Sequence, residues 1–562
     1  MAYNEVEKTE EKTVDSTVSL IQKWIDETRP FYGDYVKVVD KNVQYYLGDQ
    51  TDVGKIRGKK SKSVENRVFS AVETIVPIVT STPPSMVVKP AKDDEMAELR
   101  AARLQKVLEY HYDRLNLRDK LERYTRNLIV KRVGVFKLVW NEKEDDFDVK
   151  VVNPVKLRIP RKGSSVDEVP YILEEVEMTY SSLEEFFGRE KAEKVKNSGG
   201  ETTETSEENR KKSVYTVWEA TTDDWTAWMC KGEILDKKDN QFYDSDPEKN
   251  FFGYPKKHYV IKSLFPLDDY LIGETDLIQQ TIPIQDNINK RKRQIEDLCA
   301  LVANPPLLID SDTMDEETAS TITNEEGLII YGKDVAGQGK IRFETPGQVP
   351  QYLFSDLINS RSEFDNVFGT HSTTRGEKSS SPTLGQDMLQ RQGDLGRIDL
   401  ISRKIEGTIA DLAGWFVQIM KKHYSDDKKI MVFGDDGRDL VAFSRADIEN
   451  GIELIVKSGF VLPMDEVSQR KEAINLFQLG ALEPLSLYEK MKFPNPTKTF
   501  ERLAKFRTGQ MFQEYSGQGA MPAQSGVAGQ TQVGQQAGAM GASNQQEAIE
   551  GRQQPMGGLM NT

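Results

Sequence analysis

The residues of this 562-residue chain that could do chemistry fall short of a reaction centre at each place they gather. GDQTDVGKI, Gly48 to Ile56, has the glycine and lysine of a phosphate-binding loop, but five residues separate the glycines and Ile56 stands where a magnesium-binding hydroxyl belongs. A loop of the wrong length does not aim its backbone N–H groups at a phosphate. GKDVAGQGKI from Gly332 fails in the same way, and its GQG at 337–339 lacks a third glycine and a following helix, so it makes no dinucleotide site. The carboxylate runs Asp93-Asp94-Glu95, Glu144-Asp145-Asp146 and Asp268-Asp269 lie in loops, whereas metal-dependent nuclease chemistry needs oxygens converging from separate elements. Four scattered histidines, His111, His258, His371 and His423, and two cysteines, Cys230 and Cys299, have no zinc-ligand spacing. No Gly-x-Ser-x-Gly elbow is present. The reading is therefore no catalytic residue, no metal and no cofactor.

Positive charge is the sharper signal. Lys290-Arg291-Lys292-Arg293 is the densest basic cluster in an acidic chain, and it reads either as a solvated helix stretch or as a contact for phosphate or an acidic partner. Arg375 and Lys378, in a Ser/Thr/Gly-rich loop, carry the same two readings. The loop Lys55 to Lys62 is a solubility feature or faces a neighbouring subunit or another protein of the assembly. Lys and Arg total 75 against 90 Asp and Glu, a net charge of −15, which argues against a tight sequence-independent clamp on duplex DNA.

Two cysteines in this length leave no disulfide framework, which fits a reducing compartment, and the polar MAYNEVEKTEEKTVDS start has no secretory pattern. Apolar runs such as Leu128-Ile129-Val130 are far shorter than the ~20 residues of a bilayer-spanning helix, so no membrane partner is expected. With 29% charged residues, the chain has much polar surface for its size, as elongated elements with little private core do, and this favours assembly with partners.

The elements that would position these residues are mostly helical. Val14 to Leu47 reads as helical pieces broken by Pro30 and Gly33, after a polar arm. Val64, Val68, Val72, Ile75 and Ile78 share one helix face up to Pro83-Pro84, and Met96 to Val130 is amphipathic with a break at Asn116. From Gly134 the period becomes strand-like in VFKLVW, DVKVV and VPYILEEVEMTY; a short helix over Ser181 to Val195 and a polar low-complexity loop precede the strands VYTVWEA, DWTAWMC and GEILD. Leu277 to Val302 is helical again, but NKRKRQ at 289–294 is polar on every side, so it bridges solvent or meets polar partners. Short strands with turns fill 305–348, Pro350 opens another helix, and the loop 369–383 leads to a long helical pattern from Leu384 to Met420 with kinks expected at Gly393 and Gly396. Strands KIMVFG and VAFS and short helices from Met464 to Gly509 follow, and the Gly/Gln/Ala-rich segment from 511 reads as disordered. The fold class is α+β, mostly helical.

The order of these elements resembles the portal proteins of tailed bacteriophages. PLDDYLIGETDLIQQTIPIQDNINKRKRQIEDLCALVANPPLLID, Pro266 to Asp310, is similar to the family's first stem helix and the start of its clip. STTRGEKSSSPTLGQDMLQRQGDLGRIDLISRKIEGTIADLAGWF, Ser372 to Phe416, is similar to its tunnel loop and long wing helix, with weaker echoes in ENRVFSAVETIVPIVTSTPP and GVFKLVW. The resemblance implies a flexible arm over 1–19, a wing over 20–265, an approach and first stem helix over 266–303 and a clip over 304–348. It then implies a second stem helix over 349–368, the tunnel loop over 369–383, long helix and wing strands over 384–460, crown helices over 461–510 and the tail over 511–562.

It further implies a homo-oligomeric ring, usually a dodecamer, at one capsid vertex of the virion, assembled in the host cytoplasm. Double-stranded DNA is packaged, retained and ejected through it, and its partners are the major capsid and scaffolding proteins, the terminase large subunit, then head-completion or tail adaptor proteins. Arg375 and Lys378 become candidates to face the DNA, and Lys290 to Arg293 a basic cluster on the stem. Two other readings stand beside it: a virion or assembly scaffold without a conduit, and a metal-dependent nuclease.

Overall fold

The first helix runs through both of its expected breakers. In the computed structural model of the chain, α1 is continuous over Ala2–Leu47, with Pro30 inside it. The structure describes residues 2–50, 61–80, 85–90, 94–197, 214–320, 329–333, 341–343, 347–371, 374–375, 384–425, 429–434, 437–442, 448, 453–457, 470, 473–491, 499–500 and 502–504. The proline ring removes one backbone donor, but tertiary contacts on both sides of it hold the axis. Trp24 stacks on Tyr171 at 4.2 Å, the Arg158 guanidinium lies 4.4 Å from the rings of both Tyr32 and Trp218, and the Tyr35 hydroxyl donates to the Lys131 carbonyl at 2.8 Å. The arm expected over 1–19 is thus written into α1 from Ala2 onward.

The chain divides into two compact units, 1–465 and 466–562. In the first, α2 (Arg67–Thr80) leads to β1 (Ser85–Lys89), α3 (Glu95–Arg114) and α4 (Leu117–Val130). Asn116, in the left-handed conformation at φ 48°, makes the break between α3 and α4. Next come β2 (Val133–Asn141), β3 (Asp146–Val151), β4 (Leu157–Arg158) and β5 (Ile172–Thr179). The helix expected over 181–195 is two, α5 (Tyr180–Phe187) and α6 (Arg189–Asn197), because Gly188 takes φ +87° between them. The strands β6 (Val214–Thr221), β7 (Trp225–Cys230), β8 (Glu233–Asp239) and β9 (Tyr259–Ser263) complete the β-rich region.

Two antiparallel sheets result, one in the order β4-β5-β6-β7-β8 and one in the order β3-β2-β9. β2 is buried along its first six residues because helices cover its sheet, and Gly134 is required there: a Cβ would sit 2.4 Å from the ring of Tyr124 on α4.

After β9 the chain enters α7 (Leu277–Ala303), then β10 (Leu307–Asp310), α8 (Glu316–Ser320), β11 (Ile329–Gly332) and β12 (Ile341–Phe343). β10 is the centre of a small sheet, parallel to β11 and antiparallel to β12. α9 (Gln351–Phe368) returns, and α10 (Leu384–His423) runs 40 residues without a break at Gly393 or Gly396. Its residues Ile398, Ile401, Ile405, Ile409, Leu412 and Phe416 are buried in the main core beside α2 and α4, and this packed stripe carries the helix past its glycines. β13 (Lys429–Gly434) pairs with β14 (Gly437–Ala442), and β15 (Glu453–Lys457) pairs with β1 from the far end of the sequence. The chain is mixed α+β.

The second unit, by itself, has helix over 473–478 and α11 (Pro484–Lys490), turned at Gly480 with φ +73°. The tail expected to be disordered, 511–562, lies outside the described residues, as do residues 55–60 of the basic loop.

Candidate functional site

The polar middle of α7 finds its partners within the chain. Gln285 and Asn289 are fully buried one helical turn apart, and both turn their amides onto the extended segment that precedes α2. The Gln285 side chain donates to the Glu65 carbonyl at 2.7 Å and accepts from the Arg67 N–H at 3.2 Å, while Asn289 accepts from the Glu65 N–H at 3.0 Å. Arg293 donates to the Ser63 carbonyl at 2.9 Å, Asp297 accepts from the Ser61 N–H at 2.7 Å, and Glu296 accepts from the Ser61 hydroxyl. Side chains thereby satisfy backbone groups that have no strand partner. The helix start is fixed too: Asp276 caps the Gln279 N–H at 2.7 Å and holds the Arg132 guanidinium at 2.7 Å, with both side chains buried.

α7 and α9 form an antiparallel hairpin, since Asn287 meets Ser360 at 2.8 Å and the later Arg291 meets the earlier Asp356 at 2.6 Å. The Arg291 hydrogen bond holds the Asp356 carboxyl below its usual range. The small β10–β12 sheet joins the two helices of this hairpin, between Ala303 and Gln351.

The return end is dominated by charge. Glu65 receives Arg361 at 2.9 and 2.6 Å and Arg67 at 3.3 Å; burial opposes its carboxylate, but the two guanidiniums outweigh burial and keep its pKa low. Arg67 also places one nitrogen 2.6 and 2.8 Å from the Asp365 oxygens. Arg375, beyond the end of α9, reaches the same carboxylate at 2.8 and 3.2 Å and donates to the Thr370 carbonyl. Asp394 on α10 accepts the His371 N–H at 2.9 Å, faces the His371 Nδ1 at 2.6 Å and takes the Thr374 hydroxyl. The described start of the 369–383 loop is therefore tied to α9 through Asp365 and to α10 through Asp394.

With this geometry in place, comparison with known proteins decides the family. The family model described as Phage P22-like portal protein matches residues 171–555, more than half of the chain. The chain belongs to that family. Among solved structures it is similar to a chain titled as the neck of an empty GTA particle computed with C6 symmetry. The identity is 10% and the TM-score 0.40, over 80% of this chain and 93% of that one. No curated protein matches. As a member of a portal family this is a structural protein of a phage particle, one copy in a homo-oligomeric ring with phage head and tail proteins for neighbours.

The residues expected to matter in this portal protein have different fates. Of the basic cluster, Arg291 pairs with Asp356 and Arg293 donates to the Ser63 carbonyl within the chain. Lys290 is exposed and Lys292 half-buried one turn from Glu296. Arg375 has its guanidinium on Asp365, and Lys378 lies outside the described residues. Sequence reasoning missed Glu65, Arg67, Arg361, Asp365 and Asp394. Arg361 and Asp365 do stand at i, i+4 on α9, but that spacing is common on exposed helix faces and names no partner.

Elsewhere, Gly48 ends α1 at φ +84°, and residues 51–56 of the phosphate-loop lookalike lie outside the described residues. Among the described residues no group of three or more His, Cys, Asp or Glu side chains could hold a metal, and no helix is long and apolar enough to cross a membrane. Cys230 is buried and Cys299 exposed, both free thiols.

Proposed function

We propose that this chain builds a ring of twelve copies at one capsid vertex, through which double-stranded DNA is packaged, retained and later ejected. The observation that carries this is the portal-family match over 171–555, which spans the helical hairpin, the loop and the long helix. In that ring, 20–265 with 384–460 forms the wing, 266–303 and 349–368 the stem, 304–348 the clip, 369–383 the tunnel loop and 461–510 the crown. The clip docks the terminase large subunit during packaging and head-completion or tail adaptor proteins afterwards, while capsid and scaffolding proteins surround the wing. Exposed apolar side chains on the hairpin and its small sheet, Leu301, Val302, Phe343, Tyr352 and Ile358, give adjacent copies a surface to bury.

A conduit must let DNA slide, and each Lys or Arg that neutralises a phosphate adds affinity that slows it. The net charge of −15 and the withdrawal of Arg291, Arg293 and Arg375 into intramolecular pairs suit that need. Arg375 is assigned to anchoring the loop root, and Lys378 to the DNA side. Lys290 and Lys292 present the remaining stem charge to the ring's surroundings. Mass photometry with negative-stain imaging tests the reading. Rings near 770 kDa, about twelve times the 63.8 kDa chain, with a central hole are expected. A species that remains at the single-chain mass when capsid and scaffolding proteins are added would overturn it.

A further inference from the structure

Asp365 is an acceptor that two chain segments far apart in sequence share. Arg67 opens α2 at the end of the extended 61–66 stretch, and Arg375 lies at the root of the 369–383 loop. All three side chains are largely withdrawn from water, at 16%, 11% and 11% exposure for Arg67, Arg375 and Asp365. In such a setting a carboxylate between two guanidiniums screens each from the other: without it Arg67 is left with its longer contact to Glu65, and the two cations repel one another. The two neighbouring carboxylates join other pairs: Glu65 serves Arg67 and Arg361, and Asp394 serves His371 and Thr374 on the loop side.

We infer that Asp365 is a positioning residue that couples the root of the 369–383 loop to the Glu65–Arg67 segment, so that the two are held or released together. Losing Arg375 frees the loop root beyond Thr374 but leaves Arg67 seated on Asp365. Losing the Asp365 charge unseats both. In the ring this ties any displacement of the loop to the start of α2 and so to the wing; that consequence, unlike the coupling itself, rests on the channel reading above.

Hydrogen-exchange mass spectrometry on the full chain tests the coupling without any packaging assay. Peptides covering 61–67 and 369–375 report the two segments, whose amides are protected through Asn289, Gln285, Asp365, His371 and Asp394. Asp365→Asn is expected to speed exchange in both peptides by about tenfold, and Arg375→Gln only in 369–375. The double variant D365N/R375Q should return 61–67 towards the wild-type rate, because the second cation has gone, and D365E should keep both segments protected. Peptides of α10 around residues 405–420 serve as the fold control. Should D365N unfold them, the pair R375Q and D365E decides alone. Release of only one segment by D365N, or no relief of 61–67 in the double variant, would overturn the coupling. Failure to form rings would count against the channel and leave this result untouched.

Discussion

Lys137 is a buried charge shared by two carboxylates. On β2, it lies 2.6 Å from Glu174 and 2.7 Å from Glu219 on the neighbouring sheet, with Tyr259 donating to Glu174 at 2.8 Å and Trp228 to Glu219 at 3.1 Å. Burial works against both ion types, yet the mutual attraction wins: Lys137 is pushed up and Glu219 held well below the carboxylate range. Lys137→Met leaves two buried carboxylates facing each other and is expected to cost about 3–5 kcal/mol, read as a shift of the denaturant midpoint. A change under 1 kcal/mol would mean that the cluster is wetter than its burial indicates.

His258 sits in the same cluster with Nε2 3.6 Å from Glu219, and burial pushes its pKa below 6.5 despite that carboxylate. The folded state thus resists a proton that the unfolded state accepts, so stability is full above about pH 6.5 and falls as pH drops through the lowered value. The Glu219 contribution is full above about pH 4.5 and is lost below it. Unfolding free energies measured from pH 7.5 to 4 should decline in those two stages, and His258→Gln should flatten the first.

At the scale of elements, α7 shows why a helix can afford a polar girdle. Its middle turn faces α9 on one side and the 61–67 segment on another, and each supplies polar partners. This separates the basic cluster into two pairs with different duties. R291S/R293S removes the bonds to Asp356 and Ser63 and should lower the unfolding midpoint of the chain. K290S/K292S should leave that midpoint unchanged and show its effect, if the channel reading holds, in assembly or packaging. Equal destabilisation by the two pairs would argue that all four side chains are structural.

At the scale of the whole molecule, the described α+β framework belongs to residues 1–465, and 466–562 forms a separate compact unit. The composition of 511–562, rich in Gly, Gln and Ala and almost without aromatics, cannot offset the ordering entropy of a packed core. Deleting 511–562 is accordingly expected to leave ring assembly intact, checked by the same mass measurement on the truncated chain. Failure to assemble would show that the tail orders against the ring.

What the amino-acid order determined alone was local and periodic. The amphipathic stripes of α2, α9 and α10, the helical run of α7 with its polar middle, the break at Asn116, the change to strand period after Gly134 and the succession of elements that resembles a portal were all legible, because propensity and burial pattern act over a few residues. Long-range pairing was decided only by the tertiary structure. α1 survives Pro30 because aromatic and cationic side chains more than a hundred positions away grip it. β1 finds β15 across the whole first unit, and the charges of Arg67, Asp365 and Arg375 meet over some 300 residues of sequence. A side chain's charge is written in its codon, but whether it faces DNA, a neighbour or a buried counter-ion depends on which segments the fold brings within about 3 Å.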